Sequence, residues 1–236
     1  MIAEFSRENL KNPSYVMLHD YGSTSDTLFV CFSGMGPEGM VPPFEFAGVL
    51  RNYDVKKLFV RDTYNLIFHN GLENETKDVP ETVALIRKMI EKSGASRVIC
   101  IGNCQGGYAA LLFGAMVGVD RIISFAPLTF LDRANCEKHN EVRWPDAFQR
   151  FYSHPSCDPQ FFDLLNIEGI DKANIYVYYD VDFKADAVHS ERLKSLPGVQ
   201  LFSYTGGEHL MVRNLKKSGE LDRILQNALT AAPMPS

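Results

Sequence analysis

Short, nearly continuous apolar runs alternate along the chain with segments of helical period. TLFVCFSG (27–34), KKLFVRD (56–62), RVICIGN (97–103), RIISFAP (121–127), NIYVYYD (174–180) and VQLFSYT (199–205) read as strands. Their lack of polar alternation suits strands buried on both faces of a parallel sheet. SYVMLHDYG (14–22) is an earlier, more polar strand and is expected at an edge. Between the strands lie helical stretches. Asp78 to Glu81 has the form of a capping box, followed by Val83, Ile86 and Ile90 on one face and by Gly94. Gln105 to Val117 ends at Gly118, and Ala185 to Leu196 and Val212 to Leu229 complete the set. The tail TAAPMPS is expected to fray. Strand–helix alternation of this kind predicts an α/β fold with a doubly wound, mostly parallel sheet. One interval is too long for a crossover: residues 128–173, rich in aromatics and histidine, read as a helical cap inserted over one edge of the sheet.

Length and composition narrow this without redirecting it. At 236 residues, with 45% hydrophobic and 22% charged positions, the chain fits one globular domain spanning 1–236 with that one insertion. A net charge of −5 gives no electrostatic footprint for nucleic acid. No apolar run approaches a membrane span, and no signal peptide is apparent. Five cysteines, an odd number, argue against a disulfide framework and for a reducing cytoplasm. Cys31 and Cys100 belong to strands, where a thiol acts as a small hydrophobe.

Cys104 stands apart. Gly102-Asn103-Cys104-Gln105-Gly106 joins an apolar strand to a helix through a turn too tight for side chains on its flanks. The central residue of such a turn projects above the sheet, beside the free N–H groups of a helix N-terminus that favour a thiolate and a neighbouring oxyanion. The bland alternative is a glycine-tolerant turn carrying an inert thiol.

The segments IGNCQGGYAALLFG and ISFAPLTF resemble those of α/β-hydrolases, with cysteine in place of the usual serine, as in dienelactone hydrolases. More narrowly they are similar to bacterial hydrolases whose elbow reads IGNSMGGYAALLFG. The resemblance runs from about Phe29 to Leu225 and implies the chain order nucleophile, acid, base. On that pattern His209, in YTGGEHLMVRNL, is the base. The acid is Asp186, Asp182 or Asp132, each of which can equally be a helix cap or loop carboxylate. The implied oxyanion hole combines the N–H of Gln105 with that of Gly34 or Met35.

Weaker signals surround these. Asp62, Tyr64 and His69 follow a strand end, where open α/β sheets bind ligands; they are candidates for lining a pocket or for ordering the loop. Trp144, the only tryptophan, lies in the cap and is a candidate for contact with an organic acyl group. Cys136-x-x-His139 and His154-x-x-Cys157 have a spacing that a zinc site can use, but scattered cap residues explain them as well, and no metal or cofactor is expected. The expected activity is acyl transfer from an ester, lactone or thioester, small or carrier-bound, by a Cys–His–Asp triad: a hydrolase, thioesterase, cyclase or acyltransferase. The rival is a catalytically degenerate hydrolase-fold protein that binds or assembles within a polysaccharide or secondary-metabolite system. Oligomeric state is unreadable.

Overall fold

In a computed structural model, residues 1–37 and 39–230 are described; all but the first residue of the TAAPMPS tail lies outside them. The strands are β1 (Ile2–Glu4), β2 (Met17–Asp20), β3 (Thr27–Phe32), β4 (Lys56–Val60), β5 (Arg97–Asn103), β6 (Arg121–Phe125), β7 (Ile175–Asp180) and β8 (Val199–Tyr204). The helices are α1 (Ala47–Leu50), α2 (Val79–Ser93), α3 (Gln105–Val117), α4 (Arg133–Lys138), α5 (Pro145–Ser153), α6 (Lys184–Glu191), α7 (Met211–Ser218) and α8 (Glu220–Thr230). The strands form one eight-stranded sheet in the order β1-β2-β4-β3-β5-β6-β7-β8. Every pairing is parallel except β2 with β4.

The strand pleat explains the unbroken apolar runs. Leu28, Val30 and Phe32 pack on one face, with α2 and α3; Phe29 and Cys31 pack on the other, with α1, α7 and α8. Alternate residues thus feed two cores, and neither face is left to water. Helix α3 is sandwiched between the sheet and the insertion, so every residue from Gln105 to Ala115 is buried. Helix α2 is capped as its sequence predicts: Asp78 accepts the N–H of Glu81, and Glu81 accepts that of Lys77.

Three expectations change. β2 is not an edge strand, because the three residues of β1 pair along its outer side. The stretch 212–229 is two helices, broken where Gly219 takes φ 79°. The insertion packs on the α3 face of the sheet instead of over its edge: Phe151, Phe161, Leu164, Ile167 and Ile170 join the same core as Phe32 and Tyr108. Among the described residues no helix is long and apolar enough to cross a membrane.

Candidate functional site

At the carboxyl end of β5 the chain reverses sharply into α3. Cys104 sits at the bend with φ 55° and ψ −119°, a backbone state that costs a non-glycine residue about 1–3 kcal/mol. Its N–H donates to the Phe125 carbonyl at 2.9 Å, and its carbonyl accepts the Tyr108 N–H at 3.0 Å. A Cβ on Gly102 would strike the Gly106 carbonyl, and one on Gly106 would strike that of Phe32. The glycines are therefore fixed by the crossing of β5, α3 and β3, and the turn holds Cys104 in place with 7% of its surface exposed.

His209 follows β8 in a short 3-10 turn (Glu208–Leu210). Asp180, at the end of β7, anchors that turn by accepting the N–H groups of Gly207 and Glu208, both at 2.6 Å. The His209 Nδ1–H donates to Asp186, 2.9 Å from each carboxylate oxygen. Cys104 also lies within electrostatic reach of the ring. Burial works against the imidazolium, but the hydrogen bond to Asp186, with the nearby Cys104, outweighs it and raises the His209 pKa to about 10. Asp186 is wholly buried in the first turn of α6. The other two acid candidates lie elsewhere: Asp182 is exposed, and Asp132 caps α4 by accepting the Asn135 N–H.

Asp186 has a second partner that sequence reading missed. The Arg143 guanidinium, reaching in from the insertion, contacts its Oδ1 at 2.7 Å. Arg143 also forks onto Glu141, with Nε 3.0 Å from both oxygens, and Glu141 accepts from His189 Nε2 at 3.0 Å. Because the Thr129 N–H donates to His189 Nδ1 at 3.0 Å, the proton of neutral His189 lies on Nε2, toward Glu141. Burial opposes the Glu141 charge, yet the bonds from His189 and Arg143 hold its pKa down to about 2. A continuous polar chain thus runs from Thr129 through His189, Glu141, Arg143 and Asp186 to His209, beside Cys104. Only the spacing of Glu141 and Arg143 ahead of Trp144 was visible in the sequence, and nothing in it indicated a target.

The loop after β3 closes the opposite side. A Cβ on Gly34 would lie 3.2 Å from the Asn103 carbonyl, so this loop abuts the elbow. Gly34 faces the buried Glu45 carboxyl, whose pKa burial pushes up to about 7 against the pull of the Gly34 N–H. Gly36 N–H donates to Asn65 Oδ1 at 3.1 Å. Among the described residues the Met35 N–H has no acceptor, and Gln105, first in its helix, has none within the helix.

Of the remaining candidates, Trp144 packs its ring 5.3 Å from that of His209, under Arg143 at 4.6 Å. Asp62 and His69 are fully buried. Asp62 accepts the N–H groups of Tyr64, Leu66 and Phe68 and so orders its loop. His69 bonds to Tyr108 Oη at 2.9 Å, and Tyr64 is partly exposed. Neither Asp62 nor His69 is in the lining of the two clefts bordered by Asn103 or Trp144. The cap pairs do not converge: Cys136 contacts Tyr152, His139 lies against Phe130, and no group of described residues has the makings of a metal site. Two clefts are lined by neighbours of the site residues. One, of about 400 Å³, is lined by Met35, Asn65, Trp144 and Arg150. The other, of about 330 Å³, is lined by Glu45, Phe46, Asn103, Leu210 and Arg213.

No protein-family model matches the chain, and no curated protein is matched by its sequence. Solved structures do match. A capsule O-acetyltransferase of Neisseria meningitidis serogroup A superposes with a TM-score of 0.67 at 17% identity, covering 93% of this chain and 99% of that one. An α/β hydrolase from a lagoon-sediment metagenome of Mar Chica, Morocco, gives 0.57 at 16% identity, covering 89% and 92%. A structure reported for carboxylesterases of the thaumarchaeon Nitrososphaera gargenis gives 0.55 at 14% identity, covering 90% and 92%. With its eight-stranded, mostly parallel sheet, the chain has the α/β-hydrolase fold.

Proposed function

We propose that this chain is a cysteine-dependent acyl-transfer enzyme in which Cys104, His209 and Asp186 act as nucleophile, base and acid. The carrying observation is the His209 ring, hydrogen-bonded to the buried Asp186 and within electrostatic reach of Cys104 at the elbow. The fold is shared with an O-acetyltransferase and with esterases, which makes acyl transfer the natural chemistry to assign. The same acetyltransferase is also known in complex with CoA, a thiol that carries acyl groups as thioesters.

The Cys104 sulfur, its proton held on His209, attacks the acyl carbonyl of an ester or thioester. The oxygen takes the negative charge and is met by the N–H groups of Gln105 and Met35. Collapse breaks the bond to the leaving alkoxide or thiolate, which collects the proton from His209 and departs, leaving a thioester on Cys104. His209, now neutral, takes a proton from the acceptor hydroxyl, whose oxygen attacks the thioester. Collapse of that second adduct returns the sulfur to Cys104, and the proton stays on His209. Asp186 keeps the ring in one tautomer throughout and stabilises its cation. Since Gly34 already faces Glu45, Met35 is the better second donor.

Intact-mass analysis after mixing with a short activated acyl thioester tests this. One acyl group should appear, map to Cys104, and be missing from Cys104→Ala. If the other four thiols are acylated as fast as Cys104, the reading fails and the fold serves as a binding scaffold.

A further inference from the structure

The cleft of about 330 Å³ is bordered by Asn103 and Leu210, the chain neighbours of the proposed nucleophile and base. Asn103 precedes Cys104 and lines the cleft together with Phe46, and Leu210, which follows His209, is 66% exposed. Arg213 and Lys216 of α7 line it as well. An adjoining depression of about 350 Å³ shares Leu210 and Arg213 and adds Lys217. Positions 213, 216 and 217 are spaced i, i+3, i+4, so one face of α7 turns all three cations along this path. All three side chains are exposed, and among the described residues none of them makes a hydrogen bond or ion pair, so their charge faces the path. Glu208 borders the adjoining depression and Glu45 the cleft, which leaves the path with more positive than negative groups.

A neutral ester would need the apolar walls of Phe46, Val49 and Leu210 and no cations. A donor whose carbonyl reaches Cys104 while its distal end carries phosphates would use both. We infer that this cleft is the acyl-donor subsite and that it takes a phosphate-bearing thioester, with Arg213, Lys216 and Lys217 holding the phosphates. The inference rests on the acyl-transfer reading and adds the donor's chemical class to it. The acyl group passes to the Cys104 sulfur as the donor's carbon–sulfur bond breaks, and the released thiol carries the proton from His209. The acceptor is left the opposite cleft, beside Met35 and Trp144.

The test compares acetyl-pantetheine, acetyl-4′-phosphopantetheine and acetyl-CoA, which share one reacting group and carry increasing phosphate charge. Acylation of Cys104 is followed by rapid-quench mass spectrometry. The native protein should favour the phosphorylated donors, through half-saturation concentration and not through limiting rate, and the preference should weaken with salt. Arg213→Ala with Lys216→Ala should lower the ratio of acetyl-CoA to acetyl-pantetheine efficiency by about twofold to thirtyfold, the scale of two exposed charge contacts. The acetyl-pantetheine reaction reports on folding in the same sample. Equal acylation by all three donors, or a ratio untouched by the double substitution, overturns the donor subsite and leaves the acyl-transfer reading standing. Failure of every donor to acylate Cys104 overturns both.

Discussion

Asp186→Asn offers the sharpest probe of the site because it removes one charge and almost no volume. The native carboxylate receives His209 Nδ1 at 2.9 Å and Arg143 at 2.7 Å. The asparagine Oδ1 can still accept from Arg143, but the imidazolium loses its buried counterion while the guanidinium charge stays nearby. Burial, the largest influence on His209, then goes unopposed except by Cys104, and the ring should titrate well below its native value of about 10, near or under the ordinary 6.5. That distance represents about 5 kcal/mol of preference for the imidazolium. In the deacylation step His209 acquires a proton from the acceptor. If that proton is about half transferred at the transition state, about 2.5 kcal/mol is lost, or about two orders of magnitude in rate. NMR titration of the His209 ring and the decay of acyl-Cys104 followed by mass spectrometry read the two effects separately. A ring that still titrates near 10 in the variant, or a deacylation rate within about threefold of native, would refute the assignment of Asp186.

Two further substitutions separate support from chemistry. Glu141→Gln leaves Arg143 without its main buried counterion and should cost about 3 kcal/mol at neutral pH by urea denaturation. Because Glu141 is held at about 2 in the fold against 4.5 unfolded, its contribution is present above 4.5 and lost as pH falls toward 2; the gap between variant and native should close across that window and nowhere above it. Tyr108→Phe strips the hydroxyl that joins His69 Nε2 to the Phe161 carbonyl, leaving two buried groups unpaired, and should cost about 2 kcal/mol. Its acylation rate at Cys104 should stay native, whereas a large loss there would return His69 to the list of residues that touch substrate.

The elbow was legible in the sequence because its constraints are local. A strand, two glycines pressed against carbonyls and a helix lie within about twenty residues, and backbone sterics leave few other ways to arrange them. The strands were legible because burial on both faces removes polar alternation. The position of β2 was not, since what covers its outer side is a strand of three residues, Ile2–Glu4, too short to show a period. The acid was left open among Asp186, Asp182 and Asp132 for a related reason. All three are aspartates near helix starts, and the difference between a cap and a partner for His209 lies in tertiary distance. Asp180 illustrates the point: it ends a strand in sequence, and only the fold shows its carboxylate tying down the Gly207–Glu208 backbone 27 and 28 residues away.

The insertion has a chemical consequence that its appearance as a cap conceals. Asp186 comes from the sheet's own α6, but the charge that faces it comes from Arg143, and Arg143 is balanced by Glu141, both between β6 and β7. Arg143 withdraws part of the carboxylate from His209 and so tempers a ring that is already strongly basic. Glu141 returns part of that effect by neutralising Arg143. A ring with a pKa of about 10 holds its proton well on the thiolate side of the cycle and is correspondingly slow to surrender it to a leaving group. The guanidinium therefore acts on the step in which His209 must give its proton up, and movement of the insertion toward or away from Asp186 would tune that step. Trp144, the residue after Arg143, lies beside the same histidine with the two rings tilted, and it borders the other cleft.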